Sequence, residues 1–158
     1  LYSKITNTIT HIMERKMGYQ EKKAAHILNL MAKAYEKTNK KKQACAMYEK
    51  CLKLRKSAVG IDHLKVASTL YDMAMMFHKR GKPTRALECL EESRRIRIDR
   101  LGSSVPVAET LQQLGNSSKL AAQYEEQNSK PESFLSKRRR FPRYEAAINF
   151  YEGALAMR

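Results

Sequence analysis

The fold is decided by the stretch LRKSAVGIDHLKVASTL, which spans residues 54–70. It ends one amphipathic segment, turns at Gly60 and opens the next segment. The spacing between its arginine and its glycine recurs at Arg97 and Gly102, and Gly18 precedes Gly60 by the same 42 residues that separate Gly60 from Gly102. A fixed period of this size predicts a repeat architecture.

Apolar residues recur at helical spacing along the whole chain, and no window shows the alternation of a strand over more than a few residues. We therefore predict an all-α fold with helices at residues 1–17, 19–37, 43–58, 64–80, 84–101, 105–124 and 144–158. Gly18, Gly60, Gly81 and Gly102 are expected to end helices, and Asp62 is expected to cap the helix that follows it. The polar and basic composition of residues 128–140 predicts a loop.

The predicted helices superpose as pairs, each with a first helix A and a second helix B. Small residues recur where two helices of a pair would cross closely, as Ala32, Ala74 and Gly115 in the A helices. One such pair cannot bury its apolar face alone, so neighbouring pairs must stack into an α-solenoid. The repeat units are predicted at residues 19–60, 61–102 and 103–158, and residues 1–18 form the second helix of a preceding, truncated repeat. The third of these repeats carries a basic loop insertion around residues 125–143.

The pattern of large, small and aromatic residues in helix A, followed by alanine and aromatic residues in helix B, resembles the tetratricopeptide repeat (TPR). The 42-residue period, the stretch at residues 54–70 and the weaker IRIDRLGSSVPVAETL that begins at Ile96 resemble the kinesin-light-chain type of this repeat. The element with Asp62, His63, Val66 and Ala67 carries the closest match. The resemblance implies antiparallel helix pairs, a concave face lined by A helices, and short peptide ligands flanked by acidic residues.

If the chain follows that geometry, the exposed positions of its A helices face a peptide or protein partner. Lysines at three of these positions suit an acidic partner, and the amide side chains can donate and accept hydrogen bonds. Ordinary solvated surface remains the alternative for all of them, as does packing within a larger assembly. The predicted binding positions are Asn29, Lys33, Lys37, Tyr71, Met75, His78, Lys79, Gln112, Asn116 and Lys119.

The net charge of +15 leaves a second class of partner open. Four consecutive cations, Lys137, Arg138, Arg139 and Arg140, suit a phosphate-rich partner, a nucleic acid or a nuclear-import receptor, although a merely solubilising loop is the favoured alternative. The chain lacks a phosphate-binding glycine loop, a nucleophile elbow and a zinc-protease motif, so we expect no enzyme, cofactor or metal site.

The three cysteines are odd in number and form no CxxC pair, which favours reduced thiols in an intracellular protein. We expect a cytoplasmic location, with the cytoskeleton or an organelle as alternatives. No apolar run is long enough to span a membrane. We also expect the chain to be a fragment of a longer repeat array.

Overall fold

The computed structural model describes residues 2–128 and 134–157, and the ordered elements within them are all α-helices. The chain is an all-α solenoid built from helix pairs, as predicted. The helices are α1 Tyr2–Lys37, α2 Lys41–Val59, α3 Leu64–Lys79, α4 Pro83–Leu101, α5 Val105–Asn128 and α6 Phe134–Ala156. The chain divides into two compact units, unit 1 (Leu1–Thr69) and unit 2 (Leu70–Arg158).

Two glycines end helices at equivalent points of the repeat. Gly60 follows α2 with φ of 90°, and Gly102 follows α4 with φ of 57°. The N–H of Gly60 donates to the carbonyl of Lys56 at 3.2 Å, and the N–H of Gly102 donates to the carbonyl of Ile98 at 2.9 Å. An L side chain is strained at such φ values, so the 42-residue spacing of these glycines marks helix ends as predicted.

The predicted helix end at Gly18 is wrong, because α1 runs without a break from Tyr2 to Lys37. Gly18 is not among the glycines with positive φ. A glycine ends a helix only where the chain turns into the left-handed region; inside a helix it costs about 0.5–1 kcal/mol relative to alanine without breaking the helix. The assignment of residues 1–18 to a preceding repeat stays a prediction.

The loop predicted at residues 128–140 is also wrong over most of its length. Helix α5 continues to Asn128, and α6 begins at Phe134, ten residues before the start predicted from the sequence. The basic run at residues 137–140 is therefore helical and precedes Pro142, which lies inside α6. Leucine, lysine and arginine are good helix formers, and charge alone does not indicate a loop.

Unit 1 is organised by the packing of α1 against α2. The small residues Ala32 on α1 and Ala44 on α2 are both fully buried. The buried Tyr48 donates from its hydroxyl to Oε2 of Glu36 at 3.4 Å, and the buried Cys51 donates from Sγ to the carbonyl of Ala25 at 3.1 Å. The burial of these small residues fits the close approach predicted for this pair. None of the three cysteines forms a disulfide.

An arginine near the end of α2, and an equivalent one near the end of α4, is bonded to the start of the helix that follows. In unit 1, Arg55 donates from Nη1 to the carbonyl of Lys65 at 2.9 Å and to the hydroxyl of Thr69. In unit 2, Arg97 donates from Nη1 to the carbonyl of Pro106 at 2.8 Å and to the hydroxyl of Thr110 at 2.7 Å. The repeated arginine in the sequence therefore fixes how one repeat joins the next.

The N-terminus of α3 is capped by His63, one residue after the Asp62 that the sequence predicts as the cap. Nδ1 of His63 accepts the backbone N–H of Lys65 at 3.0 Å. The carbonyl of His63 accepts the N–H groups of Val66 and Ala67. His63 is thus the N-cap residue of α3, because its side chain accepts a backbone N–H that has no partner within the helix. This structural role accounts for the histidine at this position.

We expect His63→Ala to lower the free energy of unfolding by about 1 kcal/mol, the usual cost of removing a helix cap. His63→Asn should restore most of the loss, because asparagine is among the preferred cap residues. Urea unfolding followed by circular dichroism measures both variants. A greater loss in Asp62→Ala than in His63→Ala would show that the cap is assigned to the wrong residue.

Candidate binding surface

Unit 2 contains seven of the ten predicted binding positions, on helices α3 and α5. On α3, Lys79 is exposed, and Tyr71, Met75 and His78 are partly exposed. On α5, Lys119 is exposed, and Gln112 and Asn116 are partly exposed. None of the seven is acidic. Both lysines can thus be reached by a partner from solvent, whereas Tyr71, His78 and Asn116 have contacts within unit 2 that limit what they can bind.

The ring of Tyr71 is held by Arg97, whose guanidinium lies 4.8 Å from the ring centroid. Burial raises the pKa of the Tyr71 hydroxyl, and the charge of Glu109 adds to the rise. Burial likewise lowers the pKa of Arg97, which nevertheless stays charged because its ordinary value is so high. Tyr71 is therefore a neutral, oriented aromatic side chain rather than a mobile surface residue.

The amide of Asn116 is used inside unit 2. Its Oδ1 accepts the hydroxyl of Tyr151 at 2.8 Å, and its Nδ2 donates to Oε1 of Gln113 at 3.2 Å. A peptide could engage this amide only by sharing or displacing these bonds. Tyr151 lies 35 residues further along the chain, so the sequence predicted the position of Asn116 but not its partner.

His78 lies beside a serine that the sequence analysis did not select. Its Nδ1 is 3.3 Å from the hydroxyl oxygen of Ser117, which is fully buried. Partial burial lowers the pKa of His78, which favours the neutral ring. A neutral histidine beside a hydroxyl serves hydrogen bonding rather than charge attraction to an acidic ligand.

A small cavity that the sequence did not reveal adjoins Gln112. It has a volume of about 180 Å³ and is lined by Gln112, Tyr151, Ala154 and Leu155. Leu155 is among the most exposed large apolar residues, with 71% of its surface accessible. In the sequence, this cavity is indicated by no more than the helical spacing of Tyr151, Ala154 and Leu155 on α6.

Unit 1 contains the remaining three predicted positions, all on α1. Lys33 and Lys37 are exposed, as expected. Asn29 is buried with 9% of its surface accessible, so the expectation that it is an exposed groove residue is wrong. The cause is local, because Asn29 shares a helical face with the buried Ala25 and Ala32.

The side chains of Lys137, Arg138, Arg139 and Arg140 lie outside the part of the chain whose side chains the structure describes. Within the described residues, no group of three or more His, Cys, Asp and Glu side chains could hold a metal ion. Over the same residues, no helix is both long and apolar enough to cross a membrane.

The antiparallel helix pairs, the repeated arginine bonds and the recurring glycine helix ends define a helical-repeat protein. A family model described as tetratricopeptide repeat matches residues 23–99, so this segment belongs to the tetratricopeptide repeat family. Tetratricopeptide repeats generally mediate protein–protein interactions. No curated protein is similar enough to the chain to count as a match.

Two solved structures share the fold. BtubC (BKLC) from P. vanneervenii superposes with a TM-score of 0.57 at 22% identity, over 84% of this chain and 59% of that chain. The nearly identical TPR-like repeats of a Podosopora anserina chain described as a kinesin light chain superpose with a TM-score of 0.50 at 17% identity, over 84% of this chain and 74% of that chain. The predicted tetratricopeptide repeat is thus confirmed, and its fold is similar to that of the kinesin-light-chain-like repeats. The chain spans 59% of the length of BtubC.

Proposed function

We propose that the chain is a protein-interaction module whose unit 2 binds an extended, acidic peptide along α3 and α5. The observation that carries the proposal is the exposure of Lys79 and Lys119 on helices that also present Met75 and Gln112. Positively charged side chains near apolar and amide groups favour a ligand that alternates carboxylates with apolar residues. The net charge of +15 adds a long-range attraction for such a ligand.

Each kind of side chain has a separate part in this binding. Exposed lysines steer the peptide and contribute little affinity singly, about 0–1 kcal/mol for each pair at the surface. Met75 supplies adaptable apolar contact because its side chain is unbranched and polarisable. The ring of Tyr71 needs no ordering on binding, because Arg97 already holds it.

The test begins with selection of ligands from a random library of twelve-residue peptides displayed on phage, using the whole chain as bait. Selected peptides are then synthesised with a fluorescent label, and their affinity is measured by fluorescence anisotropy. We expect the selected peptides to be enriched in Asp and Glu. The double variant Lys79→Glu/Lys119→Glu should weaken their binding about tenfold or more, equivalent to about 1.4 kcal/mol.

A matched control places one charge reversal away from the surface. Lys53 on α2 is exposed and belongs to unit 1. Lys53→Glu should therefore leave the peptide affinity within about twofold of that of the original chain, after correction for the effect of the lower net charge on long-range attraction. Peptides without acidic enrichment, or peptides that bind the double variant as tightly as the original chain, would contradict the proposal.

A further inference from the structure

Unit 1 contains a cavity of about 180 Å³ between the first helix pair and the start of α3. Its polar lining comes from α1, from the end of α2 and from the start of α3, and none of its nine lining residues is acidic. A volume of this size holds several water molecules or one tetrahedral anion. The polar lining residues are Lys22, His26, Asn29, Arg55, Lys65 and Ser68.

Asn29 gives this cavity a second, independent sign of a missing ligand. The residue is more than nine-tenths buried, and no donor among the described residues reaches its Oδ1. A buried acceptor without a donor costs about 1–3 kcal/mol. A ligand or a water that brings an O–H or N–H group to this oxygen would remove that cost.

The repeat itself shows what the cavity lacks. Arg55 and Arg97 occupy equivalent positions, since each bonds a backbone carbonyl and a threonine hydroxyl at the start of the following A helix. With that equivalence, Tyr71 stands in unit 2 where unit 1 has Asn29. The other two equivalences pair Pro106 with Lys65 and Glu109 with Ser68.

In unit 2 the equivalent place is filled and its charge is balanced. The ring of Tyr71 lies against Arg97, and the carboxylate of Glu109 is close enough to affect the pKa values of both Arg97 and Tyr71. In unit 1 the smaller Asn29 leaves the space open, and Ser68 supplies no carboxylate. Lys65 adds a further cation where unit 2 has the neutral Pro106.

We propose that this cavity binds a phosphate group. Three cations without a carboxylate among the lining residues suit a dianion better than the single charge of a carboxylate. Arg55 already uses Nη1 for the two bonds to α3, and its remaining N–H groups suit a phosphate oxygen. The hydroxyl of a singly protonated phosphate, or a water that accompanies the group, would be a donor for Oδ1 of Asn29.

This site is separate from the proposed peptide surface, because all its residues belong to unit 1. Failure of one proposal therefore leaves the other intact. The phosphate group could come from free inorganic phosphate or from a phosphorylated side chain, and the chemistry of the cavity is common to both.

The test is a titration of the whole chain, labelled with nitrogen-15, with O-phospho-L-serine and, separately, with inorganic phosphate. We expect saturable shifts of the Asn29 side-chain amide signals with both ligands. Tighter binding of O-phospho-L-serine would assign the site to a phosphorylated side chain, and equal binding would assign it to phosphate itself. Acetate at the same ionic strength should bind at least tenfold more weakly.

Two variants make the outcome decisive. Lys65→Ala should weaken phosphate binding about tenfold, whereas the exposed Lys53→Ala, outside the lining, should leave it within twofold. Asn29→Tyr/Ser68→Glu copies the side chains of unit 2 and should abolish binding while the melting temperature stays at or above that of the original chain. Non-saturable shifts, equal affinity for acetate, or unchanged phosphate binding in Asn29→Tyr/Ser68→Glu would overturn the proposal.

Discussion

Replacing Gly115 by alanine is expected to lower the free energy of unfolding by about 1–3 kcal/mol, the typical cost of overpacking. A Cβ atom at this position would lie 2.7 Å from a ring carbon of Tyr151, well inside ordinary contact distance. The ring cannot swing aside without losing the bond from its hydroxyl to Oδ1 of Asn116. Alanine normally stabilises a helix relative to glycine, so a net loss isolates the clash between α5 and α6.

Gly18 provides the matched control for this substitution. It lies inside α1 and has no positive φ, and no atom beyond the adjoining backbone of its own helix lies within 4 Å of the place a Cβ would take. Gly18→Ala should therefore raise the free energy of unfolding by about 0.5–1 kcal/mol. Urea unfolding followed by circular dichroism measures both variants. Stabilisation by both substitutions would mean that α5 and α6 do not approach as closely as described.

Replacing Arg97 by methionine is expected to lower the free energy of unfolding by about 3 kcal/mol. The change removes two part-buried hydrogen bonds donated by a charged group, and such bonds contribute about 1.5–3 kcal/mol each. It also removes the cation from the ring of Tyr71. Methionine keeps much of the volume of the side chain, so a cavity does not account for the loss.

Arg95 provides the comparison, because it lies two residues earlier on α4 and its ion pair with Asp99, at 3.6 Å, is exposed. Arg95→Met should cost less than about 1 kcal/mol. Arg97→Lys tests the hydrogen bonds more directly, since lysine keeps the charge but lacks the planar guanidinium that reaches two acceptors. Chemical denaturation measures all three. An unchanged free energy of unfolding in Arg97→Lys would contradict the role assigned to the guanidinium group.

The arginine and glycine pair shows how much could be predicted from the sequence. Its recurrence predicted repeats, and the helix ends at Gly60 and Gly102 are confirmed. The same rule failed at Gly18, because glycine tolerates both the interior of a helix and its end. The loop predicted for the basic run at residues 137–140 was wrong for a related reason, because lysine and arginine occur in exposed helices as readily as in exposed loops.

The binding positions were harder to predict, because helical spacing assigns a face but not its neighbours. Lys79 and Lys119 are exposed as expected, since long charged side chains stay near water wherever their helix lies. Asn29 and Asn116 follow the same spacing, yet one is buried and the other bonds Tyr151. These outcomes depend on residues from other helices, which the spacing along one helix does not contain.

The sequence by itself determined the all-helical class, the repeat type and the recurrence of an arginine and a glycine at a fixed spacing. These features depend on local quantities, namely the apolar period, the φ angle that glycine allows and the spacing of Arg55 and Arg97. Only the tertiary structure decided that Tyr151 packs on Gly115 and that Asn29 borders a basic cavity. Such contacts join residues far apart in the chain, and their energies depend on distances that exist only after the helices have packed.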